Sequence, residues 1–560
     1  VVSGPDDGPL PFAPGPFRPA RLAGREVPVA LVLGEPADPV GDALASPAID
    51  TSGVEAVLAR LVAGRIGAPP GLPDPGVEAL GVPPRSALVV FGTGSPGEAG
   101  GRPVLRARDP FRPDAPTASD ALPPLDPWTL LDAAAGLRGA SRDMALLALA
   151  AGVAVCDGPL AGADRLATWA ALLSATRCAD PFHGIPCGIE EALDLLGLWK
   201  QREAEGRRVA VCLGLHPYKR ARAEALFASS GPPPEFRNRA GNAIRAARAR
   251  GGAVVAWSAS APPDLRRRAE SAGVELLWLE DGFIRSAGLG AAFRAGASFV
   301  LDSRGPHFDP ARESDLERLL RTAAFDPALL ARAAALRSAI VARNITKYNL
   351  RAPGPAIAAP PGRRRVLVPG QVEDDASVRL GGAGIRTNLE LLRRVRESAP
   401  DAFLIYKPHP DIEAGFRRGR IPRAVLAGLA DQVIAGAPMD AVLREVDAVH
   451  TLTSLTGFEA ILRGVPVTCW GLPFYAGLGL TEDRAMPPGP RRKLTVDELV
   501  AGALILYPRC VDPVTELPCP PEVLLDRMDR PELFPPGRRA RLRAVQGWVT
   551  RLVAGWRGRQ

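Results

Sequence analysis

Apolar and polar positions along the chain fall into a repeating alternation. Residues 207–213 (RRVAVCL), 253–258 (AVVAWS), 274–279 (VELLWL) and 298–302 (SFVLD) are short apolar runs rich in Val, Leu and aromatic side chains. Runs of that length, bounded by polar or turn-forming residues, predict buried strands. Arg-rich stretches of helical character separate them, such as PPDLRRRAESAG at 262–273. The alternation resumes at RVLVPG (365–370), AFLIYK (402–407), AVHTL (448–452) and VPVTC (465–469). Strands alternating with helices predict the α/β class with parallel sheets. Two such regions in succession predict two Rossmann-like domains facing across a cleft, with ligands at the strand ends.

Chain breakers set the divisions. Residues 1–26 are Pro/Gly-rich and predicted to be extended or disordered. Residues 27–180 read as an N-terminal α/β module and 181–350 as the first Rossmann-like half. The run RAPGPAIAAPPGRRR makes 351–364 a linker, and 365–560 form the second half. Part of the first module echoes the last. AGLRGASRDMALLALAAGVAVC (135–156) parallels AVHTLTSLTGFEAILRGVPVTC (448–469) as strand, polar loop, helix, Gly, short strand and Cys. Leu147 stands roughly where Glu459 does in the later copy.

Charge adds a ligand class to this frame. The 69 Lys and Arg exceed the 61 Asp and Glu by eight, mostly through arginine, which favours phosphate-bearing ligands or an anionic membrane face. The charge alone would also fit loose nucleic-acid binding. Five tyrosines, and no basic run interleaved with aromatics, argue against a single-strand platform, so no nucleic-acid partner is expected. Seven cysteines without a CxxC pair fit scattered buried thiols better than a disulfide framework or zinc site. The apolar run 144–156 is too short to span a bilayer, and the first residues lack the basic-then-apolar order of a signal peptide. A soluble or peripheral protein is the expectation.

Four segments concentrate polar groups at strand ends. In LEDGFIRSAGLG (279–290), adjacent acids precede a glycine turn and Arg285; alone it reads better as an acidic turn capped by Gly282. In VPGQVEDDASVRLGG (368–382), Glu373, Asp374 and Asp375 suit either a metal or a carboxylate tuned by Arg379 or Arg386 as an ionised nucleophile. In LIYKPHPDIEAG (404–415), Pro408 and Pro410 flank His409 just after Lys407, either a plain turn or a cationic pair aimed at a phosphate. In HTLTSLTGFEAILRG (450–464), Thr453, Ser454, Thr456 and Gly457 open a helix whose free N–H groups suit a phosphate. Thr456 and Glu459 also have capping-box spacing, which would give Glu459 a purely local role. No full GxGxxG with a following acid, Walker motif, HExxH or GxSxG elbow stands in the right context, so a nucleotide sugar fits better than NAD or ATP.

These residues carry a resemblance. WLEDGFIRSAGLG, FVLDSRGPHFD, VLVPGQVEDDASVRLG, TN, IYKPHPDIEAG, VHTLTSLTGFEAILRG and PVTCWGLPFYAGLGLTEDR stand in the order seen in the capsule polysaccharide β-Kdo glycosyltransferases of the KpsC type. DPFHGIPCGIEEALDLLGLWKQ (180–201) resembles the opening of their second module. The resemblance implies an α/β, GT-B-like fold: two Rossmann-like domains facing across a cleft, preceded here by a shortened α/β N-terminal region. It also implies a retaining transferase that uses CMP-Kdo, bound by the second half, to build the oligo-Kdo linker on a phosphatidylglycerol-type lipid. The setting would be capsule biosynthesis and export, at the cytoplasmic face of a Gram-negative inner membrane, with other capsule proteins as partners.

By the same resemblance Asp375 is the attacking carboxylate and Glu280 the proton-transfer residue. Lys407 and His409 would meet the CMP phosphate, and Ser454 and Glu459 would hold the phosphate and ribose. Retention is simplest as two inversions through a glycosyl-enzyme adduct. Lys407, His409 and a helix N-terminus could stabilise one leaving phosphate, so no metal or other cofactor is expected. Arg285 or Arg379 is the expected partner of the sugar's own carboxylate, from fork geometry alone. Residues 1–180 lack the EDG, DxS and HP motifs and are read as a degenerate, silent module. The surviving module resembles the second one, implying a β-(2→7) linkage. A non-catalytic capsule assembly or export component, or a transferase for another CMP-activated sugar, are the rival readings.

Overall fold

The computed structural model describes residues 31–32, 51–69, 71–93, 99–158, 160–174, 177–286, 295–347, 354, 356–413, 417 and 419–534. The segment 1–26 therefore lies outside the described residues, as do 287–294 of the acidic-turn motif, 348–353 and 355 around the linker, and 414–416 after the HP pair.

The chain forms two compact units. The first comprises the N-terminal part through Arg208, with residues 227–233 and 515–518; the second holds most of the remainder. In the first unit β1 (Leu31–Val32) pairs antiparallel with β6 (Arg177–Asp180), which pairs with β7 (Ile185–Pro186). A parallel sheet contains β2 (Ala87–Phe91), β3 (Val104–Ala107), β4 (Ala134–Arg138) and β5 (Ala154–Val155) in the order β3-β2-β4-β5. The sequence division at 180/181 falls short of the observed one. The helix Ile189–Arg208 belongs to the first unit, where the Trp199 indole donates to the Pro518 carbonyl at 2.8 Å.

The second unit contains both Rossmann-like halves. The first half includes β8 (Val209–Leu213), β9 (Glu235–Arg237), β10 (Ala253–Trp257), β11 (Leu276–Asp281) and β12 (Ser298–Asp302). The second half is a parallel sheet of β13 (Arg365–Pro369), β14 (Phe403–Lys407), β15 (Gln432–Val433), β16 (Ala448–Thr451), β17 (Val467–Cys469) and β18 (Glu482–Asp483), in the order β15-β14-β13-β16-β17-β18. Val366, Val368, Leu404 and Tyr406 pack with Val378, Leu391, Leu392 and Val395 of the neighbouring helices. Covered on both faces, these strands read as unbroken apolar runs rather than as alternation. Each fully buried aliphatic side chain contributes about 1.5–3 kcal/mol of transfer free energy.

One late strand departs from the sequence division. β19 (Pro508–Val511) leaves the second half and pairs antiparallel with β12, so that β19, β12, β11, β10, β8 and β9 run consecutively within one sheet. Residues 365–560 are therefore not one half of the fold. The helix Val496–Val500 also returns, with Arg337 of the helix Pro327–Ala342 donating to Asp497 at 2.8 Å.

The two echoed segments have the same build. β4, the helix Arg142–Ala150 and parallel β5 match β16, the helix Leu455–Leu462 and parallel β17. Ser141 and Ser454 are the respective N-caps. Counted from those caps, Leu146 rather than Leu147 stands where Glu459 does.

Candidate functional site

Both halves of the second unit contribute to one cleft of about 380 Å³, lined at the C-terminal ends of their parallel strands. The first half brings Glu280, Asp281, Phe283, His307 and Lys347. The second brings Asp375, Lys407, His409, Ser454 and Glu459.

β11 ends in two carboxylates with opposite surroundings. Asp281 accepts from Lys219 at 2.7 Å and from the Arg285 Nε at 2.8 Å. Burial pushes the Asp281 carboxyl up, but the two cations overcome it and hold this group below the usual carboxylate range. Glu280 has only the Ala259 N–H, at 2.9 Å, among its hydrogen bonds to described residues. Burial, then the Asp281 charge, push Glu280 up to about 7 against the opposing Lys219. A carboxyl poised there exchanges a proton near neutral pH. The turn beyond the pair requires Gly282, because a Cβ at that position would collide with the Ser298 side chain.

The EDD segment after β13 does not converge. Glu373 accepts from the Asn388 N–H at 2.8 Å and Asp374 pairs with Arg417 at 3.1 Å. Asp375 caps the helix Ala376–Gly381, its Oδ1 accepting from the Ser377 N–H at 2.9 Å and hydroxyl at 2.7 Å. Its second oxygen has no hydrogen-bond donor among the described residues and the carboxylate lines the cleft. The described residues contain no cluster of three or more His, Cys, Asp or Glu side chains suited to a metal ion.

β14 delivers Lys407 to the cleft with only 3 % of its surface exposed. No described residue forms an ion pair or side-chain hydrogen bond with it, and burial lowers its basicity. Two residues on, the Asp411 N–H donates to His409 Nδ1 at 3.1 Å. Burial depresses the imidazole's basicity, outweighing Asp411. The ring is therefore neutral, and with Nδ1 accepting, its proton sits on Nε2. The expected cationic pair is thus one cation, Lys407, beside one neutral donor.

At the end of β16, Ser454 caps the helix Leu455–Leu462, accepting from the Thr456 N–H at 3.2 Å. Thr456 is not the cap, so the capping-box role of Glu459 falls away. Glu459 instead accepts from the Lys347 N–H at 2.8 Å while still lining the cleft, and burial raises its carboxyl. Gly457 is needed because a Cβ there would strike the Tyr475 hydroxyl.

Two expected contacts fail. Arg285 is 2 % exposed, bound to Asp281 and absent from the cleft wall: Asp281 required a buried counter-charge. Arg379 lies exposed on the helix that Asp375 caps, likewise outside the wall. Three lining residues went unrecognised. Lys347 follows an ordinary helix and His307 lay unused inside a quoted motif. Gln371 bridges the strand ends through Thr453, donating from Nε2 to its hydroxyl at 2.8 Å and accepting its N–H at 3.0 Å. The TN pair was a signal for that framework, since Asn388 holds the Gln371 backbone through two 2.8 Å bonds.

A family model described as capsule polysaccharide biosynthesis protein matches residues 252–509, which contain the whole cleft wall. The capsule polysaccharide modification protein LipA of Neisseria meningitidis serogroup A is 39% identical over 348 residues, 62% of this chain and 49% of LipA. The lipopolysaccharide-processing protein LpsZ of Rhizobium meliloti is 37% identical over 327 residues, 57% of this chain and 74% of LpsZ. The chain thus spans about half the length of LipA but most of LpsZ. A solved structure of the beta Kdo 2,7 transferase of Thermosulfurimonas dismutans KpsC is 32% identical, covers 57% of this chain and 98% of that one, and has a TM-score of 0.47.

Proposed function

Because this chain belongs to the capsule polysaccharide biosynthesis protein family, we propose that it is a retaining glycosyltransferase that moves Kdo from CMP-Kdo to a lipid-linked Kdo oligosaccharide. The observation that carries this reading is Lys407, a buried cation with no ion-pair or hydrogen-bond partner for its ammonium among the described residues, beside the His409 donor and the Ser454 helix start. Such a set suits one phosphate group, with the helix N–H groups adding to the cation. Glu280 stands in the same cleft, near neutrality in its proton affinity.

In the proposed first step an oxygen of Asp375 attacks the anomeric carbon and the bond to the CMP oxygen breaks, its electron pair leaving with CMP. Lys407, His409 and the helix start receive that charge, which requires no divalent cation. In the second step Glu280 takes the proton of an acceptor hydroxyl, whose oxygen displaces Asp375 from the same carbon. Two inversions return the original configuration. By the motif resemblance the linkage is β-(2→7), and the product is the oligo-Kdo linker on a phosphatidylglycerol-type lipid at the inner membrane surface, shared with other capsule proteins. No helix among the described residues is long and apolar enough to cross a membrane.

The first unit is proposed to be silent. At the N-terminus of its echoed helix, Asp109 accepts from the Ser141 N–H at 2.7 Å and hydroxyl at 3.1 Å, so a carboxylate already fills the place of an anion.

The test is to incubate the protein with CMP-Kdo and a Kdo-terminated acceptor without added metal, and to follow product by mass spectrometry and NMR. Product from the wild type and none from Asp375→Ala is expected. A folded wild type that transfers nothing to any acceptor, while releasing CMP from a different CMP-sugar, would overturn the Kdo assignment; no turnover of any donor would favour a non-catalytic assembly component.

A further inference from the structure

The loop after β12 is more tightly tied than a passive turn requires. Asp302 Oδ1 accepts the N–H groups of Arg304 at 2.9 Å and Gly305 at 2.8 Å. Its Oδ2 accepts the Asp315 N–H at 2.7 Å and the Tyr507 hydroxyl at 2.9 Å. One buried carboxylate therefore takes four donors, and Pro306 fixes the next backbone angle. The side chain so presented is His307, which lines the cleft.

His307 stands among aromatic rings. Phe283 meets it edge-on at 5.1 Å between centroids, with Phe308 at 5.5 Å and Phe474 at 6.0 Å. Nδ1 is shielded from solvent, and neither ring nitrogen has a hydrogen-bond partner among the described residues. Burial, then the Lys347 charge, push its basicity down to about 3, so the ring is neutral under working conditions. A neutral imidazole framed by aromatic faces offers little to a phosphate. It suits a sugar, whose C–H faces pack on rings and whose hydroxyls exchange hydrogen bonds with an uncharged nitrogen.

The side of the cleft decides which sugar. Glu280 ends β11 and His307 lies in the loop after the adjacent β12, both in the first half, whereas Lys407, His409 and Ser454, proposed for the donor phosphate, come from the second half. The hydroxyl that Glu280 activates approaches from that first half. We infer that His307 binds an acceptor hydroxyl next to the attacking one and so selects which hydroxyl reacts. This assignment rests on the transferase reading above. Asp302 is then a positioning residue, acting through the turn it closes.

The experiment measures initial rates at saturating CMP-Kdo with varied acceptor, and at saturating acceptor with varied donor, for wild type, His307→Phe and His307→Gln. His307→Phe should raise the acceptor KM about tenfold or more, as loss of a hydroxyl partner does, leave the donor KM in place, and yield a second linkage isomer by NMR. His307→Gln, which keeps a polar atom near Nε2, should recover part of the acceptor KM and most of the regiochemistry. Its acid limb in the pH–rate profile should match the wild type, because a neutral ring carries no titration there. Thermal melting and CMP titration report whether each variant is folded; if His307→Phe is not, the Gln variant carries the same readouts. A wild type that transfers Kdo alongside a folded variant with unchanged acceptor KM and a single linkage would overturn the inference, as would a raised donor KM or a lost acid limb. A wild type that transfers nothing overturns the transferase reading and this inference with it.

Discussion

Lys219 donates to Asp281 at 2.7 Å while its ammonium lies 3.7 Å from the centroid of the Trp257 ring. The pair sets the charge beside Glu280, and its two members act on that carboxyl in opposite directions. Asp281→Asn removes a repelling charge and leaves Lys219 and Arg285 uncompensated, so Glu280 should ionise at lower pH. Lys219→Met removes an attracting charge, so Glu280 should ionise at higher pH. The acid limb of the pH–rate profile should therefore move down in the first variant and up in the second. Asp281→Asn leaves two buried cations without their carboxylate, at a cost of about 3–5 kcal/mol, whereas Lys219→Met leaves Asp281 paired with Arg285 and should cost less, each visible as a lowered Tm. Limbs moving the same way in both would rule out this coupling.

Glu280 itself should impose the limb. With its proton held to about pH 7, the base is unavailable below that value, and transfer should rise with a one-proton slope through it. Glu280→Gln should lower kcat by about 10²–10⁴ and erase the limb. The same group affects stability with the opposite sense. The folded state keeps this proton at pH values where the unfolded chain has lost it, so folding stability should fall as pH rises from the ordinary carboxylate range to about 7.

Lys407 should trade stability for binding. A buried ammonium with no ion-pair partner among the described residues is destabilising, so Lys407→Met should raise the Tm, by about 1–3 kcal/mol of stability, while weakening CMP binding in calorimetry at least tenfold. Added CMP should stabilise the wild type and do much less for the variant. A variant that loses stability instead would assign the lysine to the fold.

Asp109→Ala should loosen the first unit without touching transfer. It strips the Ser141 N–H of its acceptor and the cap hydroxyl of its partner, at about 1–3 kcal/mol. Faster hydrogen exchange along Arg142–Ala150, at unchanged kcat and donor KM, is the expected result. A matching loss of turnover would show that the first unit does more than fold.

The parallel cores were legible because strands such as 253–257, 365–369 and 403–407 are continuous apolar runs that fit burial on both faces. β19 was not, because its partner β12 lies more than two hundred residues earlier and no local pattern records that pairing. The same limit governed charge. Asp375, Lys407, His409 and Ser454 come together because each sits at or just past a strand or helix end, which spacing reveals, and Glu459 lies one turn inside the helix that Ser454 caps. Whether a charged group faces the cleft or neutralises a neighbour depends on partners distant in sequence. Arg285 was therefore misplaced as a ligand contact and is the counter-ion of Asp281. Lys347 and His307 were overlooked because their polar neighbourhoods resemble ordinary surface loops, and nothing local in the chain signals that burial would leave His409 uncharged.

The return of the chain at β19 means that no single cut divides this protein into its two halves. A fragment ending before 508 would keep every residue of the cleft wall yet leave β12 with a bare row of donors and acceptors, an edge open to pairing with another chain. Shortening the protein from its C-terminal side should therefore yield self-association before it yields a smaller folded protein, and any exchange of halves with a relative must carry the distant strand along with the half it completes.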